Sequence, residues 1–392
     1  MPKDDLNYKF TENGIVYDFY DVFVPAENFR QPTLFTFGWN NSSQLGINNT
    51  TNSLTPVTTF AGGTTWKQVS AGNQHTAAVK TDGTLWVWGN GANGRLGTND
   101  TITRSTPDTT FSGGTDWKQV SCGEYHTAAI KTDGTLWSWG VNYAGQLGIN
   151  NTTTRSTPVT TFAGGNNWKS VACGTDFTAA IKTDGSLWTW GYNVDGRLGI
   201  NNTANRNTPV TTFAGGNDWK SVSAGGGYTA AIKTDGSLWV WGSNTDGRLG
   251  TNDTNTRTTP VTTFAGGNNW KSVAVGDRHT AAIKTDGSLW TWGRNPFGQL
   301  GTNDTTPNRS TPVTTFAGGT NWKSVSVAYS QIVAIKTDGT LWTCGGNNNG
   351  QLGINNTANR SVPVTTFAGG NNWKSADCDG GHSTAIKYSP DP

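Results

Sequence analysis

An all-β ring, a seven-bladed β-propeller of four-stranded antiparallel blades, is the fold class that three observations predict. Trp66, Trp117, Trp168, Trp219, Trp270, Trp322 and Trp373 are each followed by Lys, at a spacing of 51 residues that becomes 52 only between Trp270 and Trp322. A unit this long, repeated seven times, must stack or close its copies to bury their apolar faces. The 392 residues hold 19 Trp, 52 Gly and only 14% charged residues, the vocabulary of short strands and tight turns. Finally, the last copy stops after two strands while the chain opens on two others, so residues from both ends complete one blade and leave no bare sheet edge.

The copy that starts at Trp117 shows each element in order. Trp117–Ser121 alternates in polarity and reads as the first strand, and Thr127–Lys131 as the second. Asp133-Gly134 between the second and third strands predicts a type I′ hairpin turn, with positive φ at both central positions. Thr135–Gly140 is the third strand. After Gln146-Leu-Gly148 and an Asn/Thr-rich loop, Pro158–Phe162 is the fourth, whose proline suits an outer edge. In the last copy Thr384–Lys387 is the final strand, while Thr33–Gly38 and Pro56–Phe60 supply the missing third and fourth.

The motifs Gly72-x-x-His75-Thr-Ala-Ala-Val79, Leu85-Trp-Val-Trp-Gly89 and Gly94-Arg-Leu-Gly97 recur as Gly123…His126, Trp139-Gly140 and Gly145-Gln-Leu-Gly148. With them the chain, over about residues 31–388, resembles the regulator-of-chromosome-condensation repeat family. The resemblance implies a seven-bladed propeller closed by strands from both ends. It leaves function open, because the family includes a nucleotide exchange factor for a GTPase, parts of ubiquitin ligases and protein inhibitors. No copy carries an inserted wedge, which argues against the exchange factor. The near-identity of the copies fits recently duplicated bacterial or phage propellers.

Charge and motifs exclude several classes. A net charge of +2 gives no general attraction to nucleic acid or anionic lipid. No apolar run approaches membrane-spanning length, and the start Met-Pro-Lys-Asp-Asp-Leu is not a signal peptide, so a virion or the cytoplasm is the expected location. Cys122, Cys173 and Cys378 stand where other copies have Ala71, Ala224, Val275 or Val327, and Cys344 where they have Trp; all four read as buried free thiols. His75, His126, His279 and His382 share one repeat position, filled elsewhere by Phe177, Tyr228 and Gln331, and read as structural. Asp82 and its equivalents read as turn residues. No nucleophile elbow, phosphate loop or zinc-protease motif is present, so neither catalytic residues, nor a metal site, nor a cofactor is expected.

The copies differ at chosen places. Strand alternation puts the Lys-Thr-Asp-Gly turns and the Phe-Ala-Gly-Gly connections on one face, where the copies hardly change. The other two connections lie opposite, and there they diverge. Trp39, Glu124, Tyr125, Tyr143, Asp176, Tyr192, Asp195, Asp246, Asp277, Arg278, Arg294, Phe297 and Tyr329 stand on that variable face, an aromatic and charged set that suits a protein or glycan partner. The unvarying face is a weaker candidate, since turn geometry alone requires Asp-Gly.

Residues 1–30 have no counterpart in the repeats. They are acidic and rich in aromatics, Tyr17, Phe19, Tyr20 and Phe23 among them, too apolar for a linker. They are expected either to anchor the propeller (31–388) in a larger assembly, such as a virion engaged in decoration or host recognition, or to fold as a hairpin over the ring's own side. Residues 389–392 form a short tail.

Overall fold

A computed structural model describes residues 9–12, 15–18, 32–63, 65–306 and 308–388. Seven four-stranded antiparallel sheets make the ring, and Lys9–Glu12 pairs with Ile15–Asp18 in a separate two-stranded sheet. In blade 1 the strands Trp66–Ala71, His75–Lys80, Leu85–Gly89 and Arg104–Thr109 lie side by side in chain order, from the central channel to the rim. Blades 2 to 6 repeat this order. Blade 7 combines Trp373–Asp379 and His382–Tyr388 with Pro32–Gly38 and Ser53–Thr58, so the two ends of the chain share one sheet, with Leu34 opposite Ile386. The closure predicted from the truncated last copy is what forms.

The inner-strand tryptophans wedge between blades. Trp117 packs against Ala77, Val79, Leu85 and Val87 of blade 1, and its own blade supplies Trp139 and, at the edge, Trp137. The rings of Trp137 and Trp139 each meet Trp117 edge-on at 6.2 Å. Small Ala residues on the second strand let the indole approach; Ala77, Ala78, Ala128 and Ala129 are fully buried. At ~150–250 Å² each, such tryptophans contribute roughly 4–6 kcal/mol of gross hydrophobic stabilisation per copy.

The hairpin between second and third strands differs from the type I′ turn expected. The Gly134 N–H donates to the Lys131 carbonyl at 3.0 Å, and the Lys131 N–H to that of Thr135 at 3.0 Å. Gly134 has φ +84° but Asp133 does not have positive φ. This is a three-residue loop, Thr132-Asp133-Gly134, in which one left-handed glycine suffices. Asp133 serves by its side chain instead: its Oδ1 accepts from the Thr135 N–H and hydroxyl. The dipeptide signal is real, but the carboxylate is selected by the cap it makes.

Candidate partner-binding face

The loop from first to second strand and the long loop from third to fourth meet on one side of the ring. A backbone bond from Val141 N–H to the Tyr125 carbonyl (3.0 Å) joins them in blade 2, as does Trp39 N–H to Gly381 in blade 7 (2.9 Å). Asn142 freezes its long loop: its Nδ2 donates to the carbonyls of Asn151 and Thr153, and its Oδ1 accepts from Leu147 N–H. Gly148 lets that loop lie on the next blade, since a Cβ there would meet the Trp190 Nε1 at 2.7 Å. Divergent side chains therefore sit on a rigid frame.

The expected site residues divide by exposure. Tyr143 is 58% exposed and Tyr329 45% exposed, and Val194, in a loop of the same face, is 52% exposed. Trp39, Glu124, Tyr125, Asp176, Tyr192, Asp195, Asp246, Asp277, Arg278, Arg294 and Phe297 are half-buried, so packing constrains more of the set than loop position suggested. Their partners are specific. The Arg95 guanidinium lies 5.0 Å from the centre of the Tyr125 ring and donates to the Glu124 carbonyl; Arg197 stacks on Tyr192 at 4.9 Å and pairs with Asp195 at 2.6 Å. Arg278 bridges Asp277 (3.3 Å) and Asp246 of the neighbouring blade (4.0 Å).

Two tyrosines carry perturbed hydroxyls. The Glu124 carboxylate beside Tyr125, together with burial, pushes that hydroxyl up to about 12. Burial, with Asp176 across the blade junction, raises the Tyr143 hydroxyl, and burial likewise raises the Asp176 carboxyl. Both rings therefore present neutral donors at ordinary pH.

At the centre of this face a funnel of about 370 Å³ opens between the inner strands. Glu124, Asp277, Asp377 and Asp379 line it, and its wall has no lysine or arginine among the described residues. Burial, then repulsion from Asp377, Glu124 and Asp277, raises the Asp379 carboxyl to about 7. Neither Asp377 nor Asp379 was among the expected site residues. A signal was there: they replace the Ser or Ala at position 70 and the Gly or Ala at position 72 of the other copies. Arg95, Arg197 and Arg248 were also passed over, because they lie inside a repeat motif that reads as scaffold.

Three of the four histidines belong to a hydrogen-bonded belt. His75 Nε2 lies 2.9 Å from the Thr127 hydroxyl, His126 Nε2 2.9 Å from Thr178, and His382 Nε2 3.0 Å from Thr76. Each of these hydroxyls donates to a backbone carbonyl, so the histidine is the donor and carries its proton on Nε2. Burial lowers the imidazoles of His126 and His279 to about 3 and that of His382 to about 4. Among the described residues no group of three His, Cys, Asp or Glu side chains is arranged to hold a metal ion. The four cysteines are buried and unpaired.

A model of the RCC1-like domain matches residues 167–389, more than half of the chain, and models of the regulator of chromosome condensation (RCC1) repeat match 33–79, 82–130 and 133–181. The chain belongs to the RCC1 repeat family. Among curated members, the ultraviolet-B receptor UVR8 of Arabidopsis thaliana is 33% identical over 303 residues, 76% of this chain and 68% of the receptor. The human E3 ubiquitin-protein ligase HERC2 is 30% identical over 69% of this chain, which spans 6% of that protein. Two solved structures share the fold. Human WBSCR16 superposes with a TM-score of 0.77 at 19% identity, covering 91% of this chain and 99% of that one. Yeast Prp20p gives 0.79 at 19% identity, covering 93% and 94%. Fourteen percent charge and strand-rich composition are thus those of an RCC1 propeller whose copies have stayed close to one another. No helix among the described residues is long and apolar enough to cross a membrane.

Proposed function

We propose that this RCC1-family propeller is a non-catalytic protein-binding platform, and that its partner docks on the variable face over the acidic funnel. The observation that carries the reading is the confinement of sequence divergence to one face. Tyr143, Val194 and Tyr329 stand exposed there on loops held by internal Asn and Arg contacts. Exposed aromatics on a rigid frame lose little conformational entropy on binding. The yeast relative Prp20p is described as binding Gsp1p and histones, and a second Prp20 structure is bound to Kap60, which supports a protein as the partner. An acidic funnel favours a partner that inserts a lysine or arginine side chain.

The test compares two sets of variants in the full chain. Tyr143→Ala with Tyr329→Ala and Asp379→Asn on the variable face should weaken partner capture at least tenfold with no loss of melting temperature. Phe162→Ser with Phe213→Ser on the opposite face should leave capture intact. Loss only in the second pair would move the site to the other face and end this reading. The near-identity of the copies favours, as a second reading, display of the platform on a particle such as a virion. Sedimentation of purified particles without the chain would remove it.

A further inference from the structure

The ring sorts its basic residues by type. All 14 of its lysines stand at the end of the inner two strands away from the variable face, and all 11 of its arginines stand toward the variable face. Seven of the lysines follow the inner-strand tryptophan, on a bulge between Trp66 and Gln68 and its equivalents, next to the far mouth of the channel. Lys67, Lys118, Lys169, Lys220, Lys271 and Lys323 are exposed there. Among the described residues none of the six has a carboxylate within ion-pair distance, whereas Lys131 and Lys233 of the second strand pair with Asp116 and Asp218 at 3.2 Å. Outside this lysine circle, on the connections between blades, Phe60, Phe111, Phe162, Phe213, Phe264, Phe316 and Phe367 are 63–65% exposed.

The described ring begins and ends on this face. In blades 1 to 6 the second and third strands are joined here by the Thr-Asp-Gly turn. In blade 7 they are not joined: Pro32, the first residue of the third strand, lies opposite Tyr388, near the end of the chain. Pro32, where the described ring begins, therefore stands beside the lysines. Residues 1–31 hold six acidic and three basic residues, a net −3, against +6 for residues 32–388 with 25 basic and 19 acidic. They also hold seven aromatics.

We propose that the N-terminal segment of this chain docks across its own lysine-ringed face, its carboxylates paired with Lys67, Lys323 and Lys374 and its aromatics beside the exposed phenylalanines. These three lysines flank the point where the segment leaves blade 7. The segment is then a cover for the face that does not vary, not an anchor for another molecule. A coaxial second copy is disfavoured as the occupant, because a two-fold axis would lay one lysine circle on another of the same radius. The charge separation accounts for why this face can keep its lysines unpaired by ring carboxylates: the counter-charge is in the same chain.

Chymotrypsin cleavage of the full chain tests this, since the segment's aromatics are its substrates. In low salt the segment should resist cleavage. In about 0.5 M salt, or in the variant Lys67→Glu/Lys323→Glu/Lys374→Glu, cleavage should be about tenfold faster, as expected for a few screened ion pairs of modest strength. The ring's melting temperature reports separately whether the variant has folded. Adding Asp18→Lys and Asp21→Lys to the triple variant should restore protection. Cleavage that is equally fast in every condition, or protection indifferent to both salt and the lysines, overturns the proposal. The former leaves the segment available to an assembly partner and the latter packs it elsewhere.

Discussion

Asp377 Oδ2 accepts a hydrogen bond from the Ala71 N–H at 2.9 Å, joining residues 306 apart across the seam where blade 7 meets blade 1. Elsewhere on the inner ring a serine makes this link: Cys122 N–H donates to Ser70, Cys173 to Ser121 and Val275 to Ser223. At the seam the carboxylate also accepts from the Ser326 hydroxyl at 2.6 Å, so one side chain ties three blades. Asp377→Ala removes the acceptor and is expected to cost about 1–3 kcal/mol, because the Ala71 donor loses its partner. Asp377→Ser keeps the link and should cost less than half of that. Urea unfolding of both variants decides; equal losses would show that the seam does not depend on this acceptor.

The funnel carboxylate makes stability depend on pH in the opposite sense to an ordinary aspartate. Asp379 is raised to about 7 in the folded chain from 3.8 in the unfolded. Between those values the folded state holds the proton, so stability falls as pH rises from 4 to 7. Asp379→Asn should therefore stabilise the ring at pH 8, by roughly 1–3 kcal/mol after allowance for solvent screening, and should have almost no effect at pH 4. An equal gain at both pH values would mean that charge is not the cause.

The histidine belt has the reverse slope. Burial holds the imidazoles of His126 and His279 at about 3 and that of His382 at about 4, below the unfolded value of 6.5. The unfolded chain takes the proton first, so stability present above pH 6.5 is lost on acidification toward pH 3. Each histidine should account for about 1.4 kcal/mol between pH 7.5 and 5.5. His126→Phe, with Phe177 as its precedent in blade 3, should flatten the melting-temperature profile over this range. An unchanged slope would exclude the belt.

His279 is the belt's exception. Ile332 stands where the other blades offer a threonine or serine, so no hydroxyl faces the His279 ring. His279→Phe should therefore stabilise the protein by about 1 kcal/mol at pH 7, while His126→Phe costs a similar amount through its lost bond to Thr178. Calorimetry of the two variants side by side reads the difference; losses of equal size would deny that the threonine partner matters.

Burial raises the Cys122, Cys173, Cys344 and Cys378 thiols, those of Cys173 and Cys344 to about 12. Thiol reagents at pH 8 should titrate none of the four in the native ring within minutes and all four in urea. Fast reaction of even one thiol in the folded chain would place it at the surface.

Much of this architecture was legible in the repeat. The 51-residue period, the alternating Trp-Lys-x-Val strand and the truncated last copy sufficed for the ring and its closure, because blade pairing is local and each copy restates it. The variable loops were legible too, since strand alternation puts them on one side. The Asp-Gly turn was misread in type, because a dipeptide does not show which of its residues takes positive φ until the flanking strands set the loop length.

The sequence by itself determined the ring, its seven blades and the face on which the copies diverge. Only the tertiary structure decided what the side chains do there. Tyr125 and Tyr192 stack on arginines of a repeat motif, four carboxylates converge on one funnel, and every lysine of the ring is gathered on the opposite face. The physical reason is that hydrophobic period and turn chemistry act within a blade, whereas stacking, desolvation and charge act between blades, across gaps that ring closure alone brings to bonding distance.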